Sequence, residues 1–224
     1  MVRYTGKENI GKTSRRLRKR FGGEILKLTL EEGTFLVRLA RKAIEKYLLD
    51  GELLEEEVPE KLKKPRGVFV TLLKQGELRG CIGFPFPSLP LAEATIKAAI
   101  SSATSDPRFP PVTMEEMEEI TIEVSVLSPP ELIVVKNPRE YPSHVKIGRD
   151  GLIVEWRGFS GLLLPQVAVE WNWDPEEFLS QTCMKAGLGA DFWLRKDVKI
   201  SKFTAQIFSE MEPRGEVEER KLEK

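Results

Sequence analysis

Between Leu36 and Leu48 apolar residues recur at positions 36, 39, 40, 43, 44, 47 and 48. That spacing of three and four residues describes a helix with one buried face. Thr29-Leu30-Glu31-Glu32 precedes it as a capping box, in which the Thr29 hydroxyl accepts from the Glu32 amide and the Glu32 carboxylate reaches back. A long amphipathic helix ending at Asp50-Gly51 is predicted. The polar stretch from Glu52 to Arg66, broken by Pro59 and Pro65, reads as a connector. Two apolar runs follow, Gly67 to Lys74 and Leu78 to Gly83, separated by Gln75-Gly76-Glu77 and therefore a hairpin.

Further along, Ser88 and Pro90 form an expected N-cap and first-turn proline for a helix reaching Thr104. Ser105-Asp106-Pro107-Arg108-Phe109-Pro110-Pro111 is a proline-fixed, extended crossing. Ile120, Ile122, Val124 and Val126 then alternate with Thr121, Glu123 and Ser125, the period of a strand with one apolar face. Short runs at Val145 to Gly148, Leu152 to Trp156 and Gly161 to Leu164 predict a meander. Two helices follow, one opening at Pro165 and one at Asp174-Pro175 and closing near Gly187, and Lys202 to Met211 reads as the last strand. Strands and helices are interspersed without a regular βαβ alternation. The fold class is therefore α+β, with a mixed or largely antiparallel sheet flanked by helices.

Composition changes this picture little, but charge does. The 224 residues are 41% hydrophobic and 31% charged, with a formal net charge of zero. Residues 1 to 22 nevertheless hold eight Lys or Arg against Glu8, so this segment is +7 and the remainder −7. A basic extension over 1–23, a body over 24–212 and a charged tail over 213–224 are expected. Such an arm neutralises nucleic-acid phosphates in one reading and is a solvated extension in the other. No apolar run is long enough to span a bilayer, no apolar signal core follows the basic start, and only Cys81 and Cys183 are present, so a cytoplasmic, reducing location is expected. A lone histidine, His144, and the lack of paired-cysteine or HExxH spacing argue against a metal site. The abundance of Glu, Lys and Arg is a composition found in thermophile proteins.

The densest chemistry lies in Leu78-Arg79-Gly80-Cys81-Ile82-Gly83. On a strand Arg79 and Cys81 would share a face, and a guanidinium beside a thiol favours the reactive thiolate. Gly80 and Gly83 would admit a ligand or a second backbone. In the competing reading Cys81 is a small buried filler. Asp106 and Arg108 flank Pro107 and are either a rigid binding pair or a turn with a surface ion pair. Gln166 and Glu170, four apart on a helix, share a face and either line a pocket or are solvated. Glu123 either faces solvent or lines a cleft. Cys183 is assigned to a helix core. Trp156, Trp171, Trp173 and Trp193 either stack on bases or a sugar or belong to the core, as most tryptophans do, and their spacing follows no recognition module. No phosphate-binding glycine fingerprint is present.

LRGCIG at 78–83, SDPRFPP at 105–111, IEVSVLSPPEL at 122–132, GLLLPQV at 161–167, Lys185-Ala186-Gly187-Leu188 and Phe203 to Glu210 together resemble the AMMECR-domain family. These stretches run in the family's order over most of residues 24 to 212. The resemblance, with this composition, points to an archaeal member. It implies a compact α+β domain with a larger and a smaller lobe and with the LRGCIG strand toward an interlobe cleft. It also implies Memo-like and radical S-adenosylmethionine proteins as pathway partners, and it brings no settled reaction or cofactor. Family members often carry His-Gly-Leu where this chain has Asp150-Gly151-Leu152. The resulting expectation is an enzyme or enzyme subunit binding a small polar or anionic substrate, with Arg79 holding the anion and Cys81 as thiolate. Gly80 and Gly83 would give close approach, and Asp106, Arg108, Gln166 and Glu170 would complete the wall. The alternative is a non-catalytic adaptor for a partner protein, or a nucleic-acid-binding module using residues 1–22.

Overall fold

The computed structural model describes residues 27–222, so the expectations for the basic arm and for a body starting at Glu24 lie outside the described residues. The described chain is α+β. Strand Gly67–Lys74 with Glu77–Phe84 and Ile120–Leu127, Asp150–Trp156 with Phe159–Leu163, and Lys199–Glu210 with Glu131–Leu132, Asp150–Trp156 and Val217–Arg220 all pair antiparallel. It falls into two compact units, one built from residues 27–127 with 206–221 and the other from 128–205. No helix of the described residues is long and apolar enough to cross a membrane.

In the first unit, helix α1 (Leu30–Asp50) begins with the predicted capping box, both reciprocal bonds of which are present, and ends at Gly51. Its stripe of Leu36, Leu39, Ala40, Ala43 and Ile44 is buried. Strands β1 (Gly67–Lys74) and β2 (Glu77–Phe84) form the expected hairpin around Gln75-Gly76, and β1 pairs on its other side with β3 (Ile120–Leu127). Helix α2 (Leu91–Thr104) packs on the β1–β2 hairpin and on α1. Its N-cap is Pro90, with no side-chain cap bond. Ser88 does not cap it, because the Ser88 hydroxyl turns back to the Phe86 carbonyl.

Rows of side chains across this sheet explain the placement of the core. Leu72, Val70, Ile122, Val124 and Val126 are all buried in the same cluster as the α1 stripe and the α2 alanines. Glu123 and Ser125, which alternate with them on β3, are buried as well. The period-two pattern of β3 therefore separates an apolar face from a covered polar one, rather than from solvent. Strand β7 (Lys199–Glu210) runs through both units, and in the first its end Ile207–Glu210 pairs with β8 (Val217–Arg220). The charged segment expected as a tail over 213–224 thus contains a strand. Its Val-Glu-Glu-Arg has only one apolar residue and so does not announce one, and the edge of β7 supplies the template.

In the second unit, β5 (Asp150–Trp156) pairs with β6 (Phe159–Leu163) through a two-residue turn and with the start of β7 on its other side, while the short β4 (Glu131–Leu132) also pairs with β7. The stretch Val145 to Gly148, expected as a strand, is irregular and follows a 3₁₀ segment at Pro138–His144. Val145 and Ile147 are buried there without strand pairing, because the Asp150 carboxylate accepts from the Lys146 amide and closes a tight turn. Helix α3 (Pro165–Glu170) and helix α4 (Pro175–Lys185, N-capped by Asp174) complete the unit. Phe178, Leu179 and Cys183 of α4 are sealed against β5 residues Leu152 and Val154. The tryptophans divide: Trp193 is buried, Trp156 and Trp173 are half-buried, and Trp171 is exposed.

Candidate functional site

The two halves of the sequence signature meet at the outer edge of β2. Leu72 pairs with Gly80 but Leu73 pairs with Leu78, so Arg79 is the extra residue of a β-bulge. Its guanidinium turns to the crossing segment. Nε and Nη2 lie 3.1 and 2.9 Å from the two carboxylate oxygens of Glu116, and Nη1 donates to the Pro110 carbonyl at 3.0 Å. Only 12% of the Arg79 side chain is exposed. A bidentate guanidinium with its third nitrogen on a carbonyl has few donors left for a substrate. The structure makes Arg79 a clamp on the proline-rich segment, where anion binding had been expected.

Asp106 makes the second clamp. Its carboxylate accepts from the Cys81 amide at 2.9 Å, from the Arg108 amide at 3.1 Å, and from Arg108 Nε and Nη2 at 2.9 and 2.6 Å. Arg108 Nη2 also lies 3.5 Å from the Cys81 carbonyl. The edge strand is thus capped at Cys81 by an acceptor for its amide and a donor for its carbonyl, which closes the edge to other chains. Burial pushes the Asp106 carboxyl up, but the bonds from Arg108 and the Cys81 amide outweigh it and hold the group at about 2. Phe109 lies between the two arginines, 5.9 Å from the Arg79 Cζ and 5.4 Å from that of Arg108.

Both glycines of the motif are explained by packing. A Cβ on Gly80 would lie 2.2 Å from the Ser102 carbonyl oxygen of α2, and one on Gly83 would lie 2.4 Å from the Phe69 ring and the Val68 carbonyl. The backbone they admit belongs to the protein itself. Ser102, which no local pattern singled out, has its hydroxyl bonded to the Ile82 amide and to the Val70 carbonyl.

Cys81 is half-buried, on the row Cys81–Thr71–Glu123 that runs across β2, β1 and β3. The Thr71 hydroxyl donates to its sulfur at 3.3 Å, and Glu123, buried, is ion-paired with Arg220 of β8. Burial pushes the thiol pKa up. Thr71 and Arg108 pull it down without cancelling that, while Glu123 and Asp106 add to the rise. The guanidinium that acts on the thiol is that of Arg108. Alkylation of the native protein by iodoacetamide should therefore follow an apparent pKa above the ordinary cysteine value of about 8.5. A thiol titrating at or below 8 would overturn this electrostatic account. Cys183, fully buried and pushed up to about 11 chiefly by burial, leaves Cys81 as the thiol that the reagent reads.

Gln166 and Glu170 lie on α3 in the 128–205 unit; Gln166 is buried and Glu170 exposed, so their four-residue spacing does not put them in one environment. Asp150, at the start of β5, is buried and held by Arg149 Nε at 2.7 Å and Nη2 at 2.8 Å. Glu116 escaped the sequence reading although it left a signal. Thr113-Met114-Glu115-Glu116 is itself a capping box, and its reciprocal bonds are present at 3.3 and 3.4 Å. Thr71 left none, since a threonine in an apolar strand is unremarked until its neighbour across the pair is known.

The AMMECR1 family model matches residues 37–208, a span that contains β2, the crossing segment and most of β7. Protein MJ0810 of Methanocaldococcus jannaschii is 59% identical over 197 residues, which are 87% of this chain and 98% of that protein. Protein TK0174 of Thermococcus kodakarensis is 57% identical over 199 residues, 86% of this chain and 97% of that protein. The crystal structure of uncharacterized protein PH0010 from Pyrococcus horikoshii superposes with a TM-score of 0.84 at 59% identity, covering 86% of this chain and 98% of that one. These relatives come from archaea, and their source organisms are thermophilic, as the charge-rich composition suggested. With its LRGCIG strand and SDPRFPP crossing locked together by Asp106, Arg108 and Glu116, and with relatives matching along nearly their whole length, this chain belongs to the AMMECR1 family.

Proposed function

We propose that this domain binds a small anionic or polar molecule beside Cys81, at the outer edge of β2, as an enzyme or a subunit of one. The observation that carries the reading is the state of Arg108. Its side chain is 45% exposed, yet Asp106 fixes two of its nitrogens and Phe109 flanks its plane. Nη1 makes no hydrogen bond to a described residue. A guanidinium already immobilised loses little entropy when it receives a carboxylate or phosphate, which is the advantage of a preorganised site. The anion contact thus passes from Arg79 to Arg108.

In this reading Cys81 meets the ligand as a protonated thiol. A bound anion would raise its pKa further, so a thiolate nucleophile would need a cation that the ligand itself brings. A subunit of this kind would work beside the Memo-like and radical S-adenosylmethionine proteins that the family resemblance implies.

The test is a thermal-shift series with phosphate and a panel of small mono- and dicarboxylates on wild type and Arg108→Gln. A ligand at a hundred times its dissociation constant stabilises by about 2.7 kcal/mol, a shift of several degrees. That shift should appear for at least one probe in wild type and vanish in Arg108→Gln. Equal shifts in both proteins, or no shift with any probe, would overturn the proposal in favour of the adaptor reading.

A further inference from the structure

The tip of the β5–β6 hairpin carries a second concentration of recognition chemistry, independent of β2 and lying wholly within the 128–205 unit. The last paired residues of the hairpin are Trp156 and Phe159, whose ring centroids lie 6.1 Å apart at an interplanar angle of 28°. Phe192 meets the same indole edge-on at 5.0 Å. Two guanidiniums lie against this array. The Arg157 Cζ is 4.8 Å from the Trp156 centroid, and the Arg195 Cζ is 5.4 Å from Trp156 and 5.0 Å from Phe192. Asp197 sets the layer, accepting from Trp156 Nε1 at 2.8 Å and from Arg195 Nε at 3.0 Å.

The arrangement is solvent-facing. Arg157 is 71% exposed and Phe159 49%, and Lys196 and Lys199 beside them are exposed as well. Asp197 pairs with both arginines, at 3.7 Å from Arg157 Nη2 and 3.0 Å from Arg195 Nε, and Arg157, Arg195, Lys196 and Lys199 against it leave the aromatic cluster with a positive balance. A ligand matched to it must offer planar faces and negative charge together. An acidic peptide supplies planar faces only where its sequence adds aromatic side chains; a single-stranded nucleic acid supplies a stacking base and a phosphate at every residue.

From this layer we infer that the hairpin tip is a contact surface for single-stranded nucleic acid. A base stacks on Phe159, and Arg157 and Arg195 meet the adjoining phosphates. The surface reads no sequence, since every base has a π-face and none of these groups is aimed at a base edge. RNA and DNA share this chemistry, and only the sugar separates them.

Fluorescence anisotropy of end-labelled rU15 and dT15 with the full chain tests the inference, with the rU15 and dT15 affinities identifying the source. Binding of either oligonucleotide should weaken on the order of tenfold in Phe159→Ala, as the loss of one base stack requires. In Arg157→Gly the slope of log affinity against log salt should become shallower by about 0.7, the share of one phosphate contact on a single strand. Glycine is at ease at this left-handed position of the turn, where Arg157 has φ 45°, so the variant keeps the hairpin. Affinity unchanged in both variants would overturn the inference, because it would assign the binding to the basic residues 1–22, which both variants retain. Absence of binding at low salt, or displacement by polyglutamate as effective as by the unlabelled oligonucleotide, would overturn it as well.

Discussion

Glu210→Ala should destabilise the protein by about 3–5 kcal/mol, the largest effect expected of any single substitution considered. Glu210 is buried on β7 and is the common acceptor for two arginines of α1. Arg41 Nε lies 2.9 Å from one carboxylate oxygen and Nη2 2.5 Å from the other, and Arg38 Nη1 adds a contact at 3.1 Å. The same carboxylate accepts from the Ile122 amide of β3 at 3.1 Å. Arg41 in turn donates to the Met117 and Ile120 carbonyls, so α1, β3, β7 and the turn before β3 are tied at one point.

Removal of the carboxylate leaves the Arg41 guanidinium, 3% exposed, with only the more distant Glu45 carboxylate, 3.6 Å from Nη1, as counter-charge, and the cost is mainly that of a buried charge that has lost its bidentate partner. Replacing both members with apolar residues, as in Arg41→Met with Glu210→Leu, should lose much less than the two single changes together. Urea unfolding of the four proteins measures this as a coupling energy. A Glu210→Ala protein within about 1 kcal/mol of wild type would show that the network contributes geometry without stability.

Asp106→Asn should cost on the order of 2 kcal/mol and should also change the acid limb of the stability curve. The wild-type carboxyl titrates at about 2 in the folded protein against an ordinary 3.8. Because the folded value is the lower one, its contribution is complete above about pH 4 and is lost as pH falls from there toward 2. The gap corresponds to about 2 kcal/mol, an upper figure because solvent reaches the exposed end of Arg108 and screens the pair. The asparagine variant lacks this titration, so the two stability curves should converge below pH 3. Parallel curves down to pH 2 would show that the Asp106 contacts add no pH-dependent stability. In the variant the amide of Cys81 keeps a carbonyl acceptor, but Arg108 loses its counter-charge and with it the fixed geometry on which the proposed ligand contact depends.

Much of the secondary structure was legible because its causes are local. The capping box at Thr29, the α1 stripe, the turn at Gln75-Gly76, and the Asp174-Pro175 start of α4 depend on residues within one or two turns of each other. Misplaced elements had longer-range causes. Val145 to Gly148 has a strand-like pattern but is closed into a turn by Asp150, and β8 forms only because β7 offers it an edge.

The candidate site shows the same division more sharply. Arg79 and Cys81 in one motif and Asp106 and Arg108 in another stood out in the sequence, and the structure brings the two motifs into contact. Their roles were not legible in the sequence. The face-sharing argument for Arg79 and Cys81 assumed an unbroken strand, and the bulge at Arg79 is defined by its register against β1. The two arginines were interchangeable on paper, and only the placement of Glu116 and Asp106 decided that Arg79 would be bound bidentately to Glu116 and Arg108 to Asp106.

The sequence alone determined the α+β class, most element identities and the family, because backbone preference, capping and apolar periodicity act over a few residues. The tertiary structure decided what each polar side chain does. A charged side chain takes its partner from groups brought to it across tens of residues or more, as Arg79 does from Glu116 and Glu123 from Arg220. Those contacts exist only after chain closure and burial have been settled by the core.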